Sequence, residues 1–469
     1  MKRLENMIWK KIFYTKDYFR SSLWLIPFIA IPLELAATRI LHRLDGWLGW
    51  TFLGLGVSGA QAMLTAIITA TLSFVVFTFG SLLVGLQIAS GQMTPRIIAT
   101  ILVRDNVVRY TTGLFIFTLL FAISAINRIQ TTVFQLVEFV AACLGVTCFA
   151  AFLFLIDHAS RLLRPISIMG LVGKAGLAVI ESVYPDPSLS TNEKRTASKK
   201  LGAPGRIVHH GGTSEIILAV NLNDLMTLAE ASNGVIELAP QVGDFIATDE
   251  PLFRLYGSAT SLDERELRST VAFGAERTLE QDPTFAYRII VDIALKALSP
   301  AINDPTTAVI AIDQLHRLLR KAGNRNLRTD ELPGKSGELR VILRTPNWED
   351  FVHLAFTEIR LCGAQNIQVA RRLRAMIENL VETLPTHRHA ALQRELALLD
   401  RDVEKHFISP EDRALAQVGD PQGLGGASHV KKMAVISKRY VAFPLPPINS
   451  AHGRRWHSHE RGCFGVNHA

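Results

Sequence analysis

The residues of this chain best suited to chemistry surround a short turn between two predicted helices, together with one upstream helix start. The turn reads Ser-Pro-Ala-Ile-Asn-Asp-Pro-Thr-Thr over residues 299–307, and residues 282–284 repeat its Asp-Pro-Thr pattern. A helix N-terminus offers free amide donors and partial positive charge, so it can hold an anion. Hydroxyl and guanidinium groups would add donors, whereas carboxylate and amide oxygens would suit a hard cation. The candidate ligand or ion site comprises Arg277, Asp282, Ser299, Asn303, Asp304, Thr306 and Thr307.

The competing interpretation of the two Asp-Pro-Thr segments is structural. Asp before Pro is a favourable N-cap, because its carboxylate accepts the first helical amides and Pro fits the first helical position. Such a cap stabilises a helix by about 1 kcal/mol and already occupies the place of an anion. This pattern therefore favours a structural role for Asp282 and Asp304 over a ligand site.

Two acidic residues interrupt otherwise apolar segments. Glu34 lies within residues 21–38 and Glu138 within residues 129–156. An acid in a membrane helix is a candidate proton or cation site. With the topology given below, both acids lie in the outer part of the bundle at similar depth. The alternatives are that both side chains reach the membrane surface, or that one of them pairs with Arg39.

Motifs of the common enzyme classes are missing from the sequence. It contains no phosphate-binding glycine loop, no metalloprotease helix and no nucleophile elbow. We therefore expect no catalytic residues and no metal site, and no pattern identifies a cofactor. The net charge of +8 does not indicate nucleic-acid binding, because no basic stripe with interleaved aromatic residues is present.

Long apolar segments are the first elements that would position these residues. Residues 46–95 contain no Asp, Glu, Lys, Arg or His. As one helix they would extend about 75 Å, whereas the hydrocarbon core of a bilayer is about 30 Å thick. Glycine and tryptophan cluster before residue 61, which indicates an interfacial or re-entrant connection followed by one long span. The predicted spans are about 21–39, 61–90, 109–127 and 132–156.

Charge asymmetry orients the four spans. Lys and Arg are concentrated before the first span and between the second and third spans, at positions 2, 3, 10, 11, 16, 20, 96, 104 and 109. The other two loops carry mainly Arg43 and Arg128. Because positive residues remain on the cytoplasmic side, both termini are predicted to be cytoplasmic.

The chain after residue 160 has a soluble composition. A helix and polar linker are expected over residues 160–203, a small β-rich module over 204–258 and a helical cytoplasmic domain over 261–408. The fold class is therefore mainly α: a four-helix transmembrane domain followed by a small β-module and a cytoplasmic helical domain.

Two details of this region are predicted from local sequence. Ser261 and Glu264 form a possible capping box, which predicts a helix to about Glu280. Residues 409–469 form a C-terminal tail, and we expect disorder from about residue 427 because no helical period is present.

Residues 297–308, Ala-Leu-Ser-Pro-Ala-Ile-Asn-Asp-Pro-Thr-Thr-Ala, resemble the signature of a bacterial family of predicted membrane proteins with domain of unknown function 2254. Further matches are Gln-Met-Thr-Pro-Arg at 92–96, Gln281-Asp282 and Gln-Gly-Leu-Gly at 422–425. The resemblance implies four spans, a cytoplasmic domain and a place in the bacterial inner membrane, with no established activity. This chain departs from the pattern at Thr94, where a serine is expected, and in its tail.

Three functional hypotheses follow. The leading one is a transport or channel-like protein whose cytoplasmic domain senses or gates. The alternative is a membrane-anchored scaffold or binding protein, and the third is a membrane enzyme that acts through Asn303 and Asp304. The lipid bilayer is the partner that the sequence identifies. A homo-oligomer is compatible with it, and no pattern names a soluble partner, ion or substrate.

Overall fold

The structure is a computed structural model that describes residues 25–48, 54–92, 105–129, 133–162, 164–188, 201–327 and 330–426, together with Trp9, Ile12 and Thr15. A bundle of long helices comes first, and two β-sheets and a helical domain follow. The predicted fold class is confirmed. The tail predicted to be disordered from residue 427 lies outside the described residues.

Four helices pack into the bundle: α1 (Leu25–Leu48), α2 (Val57–Gln92), α3 (Asn106–Ile126) and α4 (Gln135–Leu162). They correspond to the four predicted spans, although α1 continues to Leu48 and α2 begins at Val57. The interfacial or re-entrant connection predicted over residues 42–60 is therefore helical at both of its ends.

Among the described residues, four helices are long and apolar enough to cross a membrane: α2, α3, α4 and α5 (Pro165–Val183). Helix α5 was expected to belong to a cytoplasmic helix and linker, and one of its faces is buried in the core of the helical domain. Helix α1 is not among these four. Its apolar side chains Phe28 and Leu33 are exposed, as residues that face lipid would be.

Polar contacts define the two ends of the bundle. At one end, the Asp45 carboxylate on α1 accepts a hydrogen bond from Leu136 N on α4 at 2.8 Å. At the other end, Asp105 caps α3 and lies 3.0 Å from His158 Nε2, near the end of α4. The end of α1 is therefore level with the start of α4, and the start of α3 is level with the end of α4.

The β-module contains eight described strands: β1 (Arg206–His209), β2 (Glu215–Val220), β3 (Val235–Leu238), β4 (Phe245–Ile246), β5 (Pro251–Tyr256), β6 (Val271–Gly274), β7 (Glu331–Pro333) and β8 (Leu339–Ile342). One sheet has the order β1-β5-β3-β8-β7 and the other the order β4-β2-β6. Strands β3 and β8 are parallel, and the other paired strands are antiparallel. Helices α6 (Leu222–Ser232) and α7 (Glu264–Ser269) connect strands of the module.

The structure corrects two expectations for this region. The helix predicted to follow a Ser261 cap and to run to about Glu280 begins at Glu264 instead, with Asp263 as its N-cap. It ends at Ser269, because residues 271–274 pair with β2 as strand β6. The module also takes β7 and β8 from residues 331–342, inside the segment predicted to be helical. Both strands are held by pairing with residues distant in sequence, which local patterns do not report.

The helical domain consists of α8 (Pro283–Ala297), α9 (Pro305–Gly323), α10 (Trp348–Gly363), α11 (Ile367–Thr383), α12 (His389–His406) and α13 (Pro410–Ala416). Their apolar faces and one face of α5 enclose a common core. Tyr287, Trp348 and Phe351 are among its largest side chains. This core fixes α5 relative to α8 and α9, which carry the predicted site residues.

Candidate functional site

The signature turn connects α8 and α9, which form an antiparallel hairpin. Asn303 adopts a left-handed backbone conformation with φ of 48°, which Asn tolerates better than most residues. Asp304 N donates to Ala297 O at 2.8 Å and closes the turn. Asp304 then serves as the N-cap of α9.

Both carboxylate oxygens of Asp304 take part in capping. Oδ1 accepts from Thr307 N at 3.0 Å, and Oδ2 accepts from Thr307 Oγ1 at 2.5 Å. Ser299 Oγ donates to Lys296 O, whereas Asn303 and Thr306 are exposed. The polar groups of the turn therefore stabilise the turn itself, as the structural interpretation predicts.

Asp282 lies at the other end of α8. This helix has 15 residues, so its ends are about 22 Å apart. The structure therefore separates the predicted site residues into two groups. Arg277 and Asp282 lie near the start of α8, and Ser299, Asn303, Asp304, Thr306 and Thr307 lie at the turn. Within the described residues, no three His, Cys, Asp or Glu side chains form a group that could hold a metal ion.

Asp282 is the more unusual of the two caps, because its side chain is only 2% exposed. Oδ1 accepts from Phe285 N at 3.1 Å and from the Thr284 hydroxyl. Oδ2 is buried and has no hydrogen-bond partner among the described residues. Burial raises the pKa of Asp282, while Thr284 and the positive charge of Arg277 act in the opposite direction. A buried, incompletely satisfied carboxyl group marks this position as a candidate functional site.

A cavity of about 330 Å³ lies where the β-module meets the helical domain, and Asp282 forms part of its wall. This volume is in the range of small-molecule sites. The wall combines apolar and polar side chains, among them Val220, Leu238, Leu343, Gln241, Gln281 and Arg344. The arrangement suits a small, mainly apolar molecule that carries a few polar groups.

Gln281 ties the two parts together beside this cavity. Its Oε1 accepts from Val220 N at 2.9 Å, and its Nε2 donates to Val220 O at 3.3 Å. The side-chain amide therefore continues the end of β2 much as a peptide group would. Residue spacing gave no signal for the cavity, because its walls come from segments far apart in sequence. The Gln281-Asp282 pair of the family resemblance was the one indication.

Helix α5 runs parallel to α9. A Cβ at Gly176 would meet Leu318 Cδ2 at 3.1 Å, and a Cβ at Gly173 would meet Gln314 Oε1 at 2.6 Å. Moving from Gly173 to Gly176 along α5 therefore matches moving from Gln314 to Leu318 along α9, so the two helices run in the same direction.

This register gives the two ends of the hairpin different surroundings. Pro165, which follows the end of α4, is level with the start of α9 and hence with the signature turn. At the other end of α5, Ser182 and Val183 line the Asp282 cavity. The turn thus lies beside the membrane bundle, and the cavity lies about 28 Å away, one length of α5.

The two membrane acids are both buried. Glu34 is 4% exposed and accepts a hydrogen bond from Thr38 Oγ1 at 2.7 Å. Glu138 is 1% exposed, and its Oε2 has no partner among the described residues. Neither side chain reaches the surface of the bundle.

The expectation that the acids lie at similar depth is wrong. Asp45 and Leu136 are in contact at one end of the bundle. Glu34 is about 16 Å from Asp45 along α1, whereas Glu138 is about 3 Å from Leu136 along α4. The difference arises because α1 continues well beyond the predicted end of the first span.

Comparisons with known proteins agree with the architecture. A family model described as "Predicted membrane protein (DUF2254)" matches residues 20–379, which include the bundle, the β-module and much of the helical domain. Uncharacterised proteins of Mycobacterium tuberculosis and Mycobacterium bovis are each 25% identical over 418 residues, covering 85% of this chain and 79% of the relative. No solved structure matches the chain.

Proposed function

We propose that this chain, which belongs to the DUF2254 family of predicted membrane proteins, is a transport or channel-like protein whose cytoplasmic domain senses a ligand and gates the bundle. The course of helix α5 is the main support for the proposal. This helix follows α4, packs on both α8 and α9, and ends at the Asp282 cavity. A ligand that changes the shape of the cavity would move α5 and, through α5, the end of α4.

A second connection between the bundle and the cytoplasmic core supports this coupling. Helix α2 has 36 residues, which corresponds to about 54 Å and exceeds the thickness of the hydrocarbon core. Near its end, Leu86 packs against the core of the helical domain. A movement of this core would therefore reach α2 as well as α4.

The proposed topology has four spans, α1 to α4, with both termini in the cytoplasm of a bacterial cell. Trp9 packs against a cluster of Leu218, Ala219 and Ala272 in the β-module. Two residues in contact outside the bilayer lie on the same side, so the chain between Trp9 and Leu218 crosses an even number of times. Crossings by α1 to α4 meet this condition, and an additional crossing by α5 would not. The buried face of α5 supports the same topology.

The experiment that tests this function is ion flux in liposomes containing the purified full-length protein. We expect flux of protons or monovalent cations above the level of protein-free liposomes. The scaffold alternative predicts no flux together with a soluble partner that remains bound during purification. Well-folded protein without flux under any ion gradient would overturn the transport proposal.

A further inference from the structure

Two buried oxygen atoms without hydrogen-bond donors lie in the first turn of α4. They are Gln135 Oε1 and Glu138 Oε2, and neither has a partner among the described residues. Residues three apart on a helix lie on the same face, with their Cβ atoms about 5–6 Å apart. The amide nitrogen of Gln135 is already engaged, because Nε2 donates to Leu55 O at 3.1 Å. Within the amide group, Oε1 is therefore the atom that lacks a hydrogen-bond partner among the described residues.

The surroundings of this pair are apolar. Ala60, Leu64, Phe121 and Val137 are fully or almost fully buried in the core at this end of the bundle. An ionised carboxylate in such a place loses the hydration that stabilises it in water. A buried oxygen without a donor is also unfavourable, and two of them on one helical face compound the cost.

We infer that Glu138 binds a proton inside the bundle and donates it in a hydrogen bond to Gln135 Oε1. One proton removes the buried charge and supplies the donor that both oxygens need. A metal cation fits less well, because hard cations take about six oxygen ligands and the described residues offer two free ones here. The ligand of this site is therefore the proton.

Charged groups on the neighbouring helices allow this assignment. Helix α1 carries Glu34, Arg39, His42, Arg43 and Asp45, and the Asp45 carboxylate contacts Leu136 N beside the pair. Helix α2 contains no Asp, Glu, Lys, Arg or His, and α3 contains none beyond Arg109. Helices α2, α3 and α4 carry no basic side chain at this end, and Arg128, in the loop that follows α3, is exposed.

The inference rests on the proposed function in one respect only. If the bundle conducts or transports, the proton at Glu138 is the transported or coupling ion. The presence of the proton is a property of the folded protein, and it can be measured without any transport.

Infrared spectroscopy of the purified full-length protein tests the inference. A protonated carboxyl group has a C=O stretching band that is separate from the bands of carboxylates and shifts in heavy water. We expect Glu138→Gln, which keeps the size of the side chain, to lose one such band at neutral pH. Gln135→Leu removes the acceptor, so the band should remain and shift to higher frequency. Any other protonated carboxyl group contributes equally to all spectra and cancels in the differences.

Glu34→Gln is the matched control, because Glu34 is the other buried acid of the bundle and has a donor in Thr38. It should keep the band that Glu138→Gln loses. Loss of the band in the control alone, or identical spectra for wild type and Glu138→Gln, would overturn the inference. A protein that shows the band and carries no flux would retain the proton site and reject transport, so the two failures are distinguishable.

Discussion

Asp282 Oδ2 lies so close to Gly243 that a Cβ on residue 243 would stand 2.3 Å from it. Gly243 also has a φ of 94°, in the left-handed region that favours glycine. A loop of the β-module thus covers the buried carboxyl group at the start of α8. This contact joins the β-module and the helical domain at the wall of the candidate cavity.

The first prediction concerns Gly243→Ala. The methyl group should displace Asp282 in addition to straining the backbone, and such backbone strain alone costs about 1–3 kcal/mol. The control is Gly337→Ala, because Gly337 has a similar φ of 81° with no atom within 4 Å of its added Cβ. Unfolding of the purified protein should show a greater loss of stability for Gly243→Ala. In the double variant with Asp282→Ala, the excess should largely disappear. Equal losses at both glycines would contradict the close contact.

The second prediction is the pH dependence of Asp282→Asn. Burial raises the pKa of Asp282 in the folded state, with Arg277 in opposition and Tyr184 close enough to be affected by its charge. Arg344 and Asp186 also line the cavity beside it. The folded state therefore favours the neutral acid more than the unfolded state does. Its stabilising contribution is complete below the unfolded pKa and is lost as pH rises through the folded pKa.

Asn keeps the cap acceptor and does not ionise. The stability of Asp282→Asn relative to wild type should therefore increase as the pH rises above about 4, the ordinary pKa of Asp. Thermal unfolding of both proteins at several pH values checks this. A stability difference that is constant with pH, or one that falls as pH rises, would count against a buried neutral carboxyl group.

The third prediction distinguishes a cap from a chemical role at Asp304. Both of its oxygens are hydrogen-bonded to Thr307. Asp304→Asn should be nearly neutral, and Asp304→Ala should destabilise the protein by about 1 kcal/mol. Divalent cations should change neither result. If Asp304→Asn abolished a cation-dependent stabilisation of the wild-type protein, the turn would be a ligand site.

The fourth prediction concerns topology. In a background in which Cys143, Cys148, Cys362 and Cys463 are replaced by serine, cysteines are introduced one at a time. Arg128→Cys, in the loop after α3, should react with a membrane-impermeant thiol reagent in intact cells. Lys335→Cys, whose position is highly exposed in the β-module, should react only after lysis. Labelling with the reverse pattern would require a different number of crossings.

The sequence predicted those parts of the molecule that depend on local patterns. Apolar length identified the bundle, and the Asp-Pro-Thr pattern identified the N-caps Asp282 and Asp304. Strand β6 was missed because Val271 and its neighbours form a strand only by pairing with β2. The cavity and the free oxygen of Gln135 were missed for a related reason. Both features depend on how residues of distant segments pack against each other, which local sequence patterns do not report.

The coupling between cytoplasmic domain and bundle is tested most directly by ion flux in liposomes with two variants of α5. Gly176→Leu places a side chain against Ala286 and Leu318 and should push α5 away from the hairpin, whereas a Cβ at Gly170 meets no atom within 4 Å. With both proteins monodisperse, Gly176→Leu should change the flux several-fold, and Gly170→Leu should match wild type. Equal flux in both variants and wild type would contradict gating through α5.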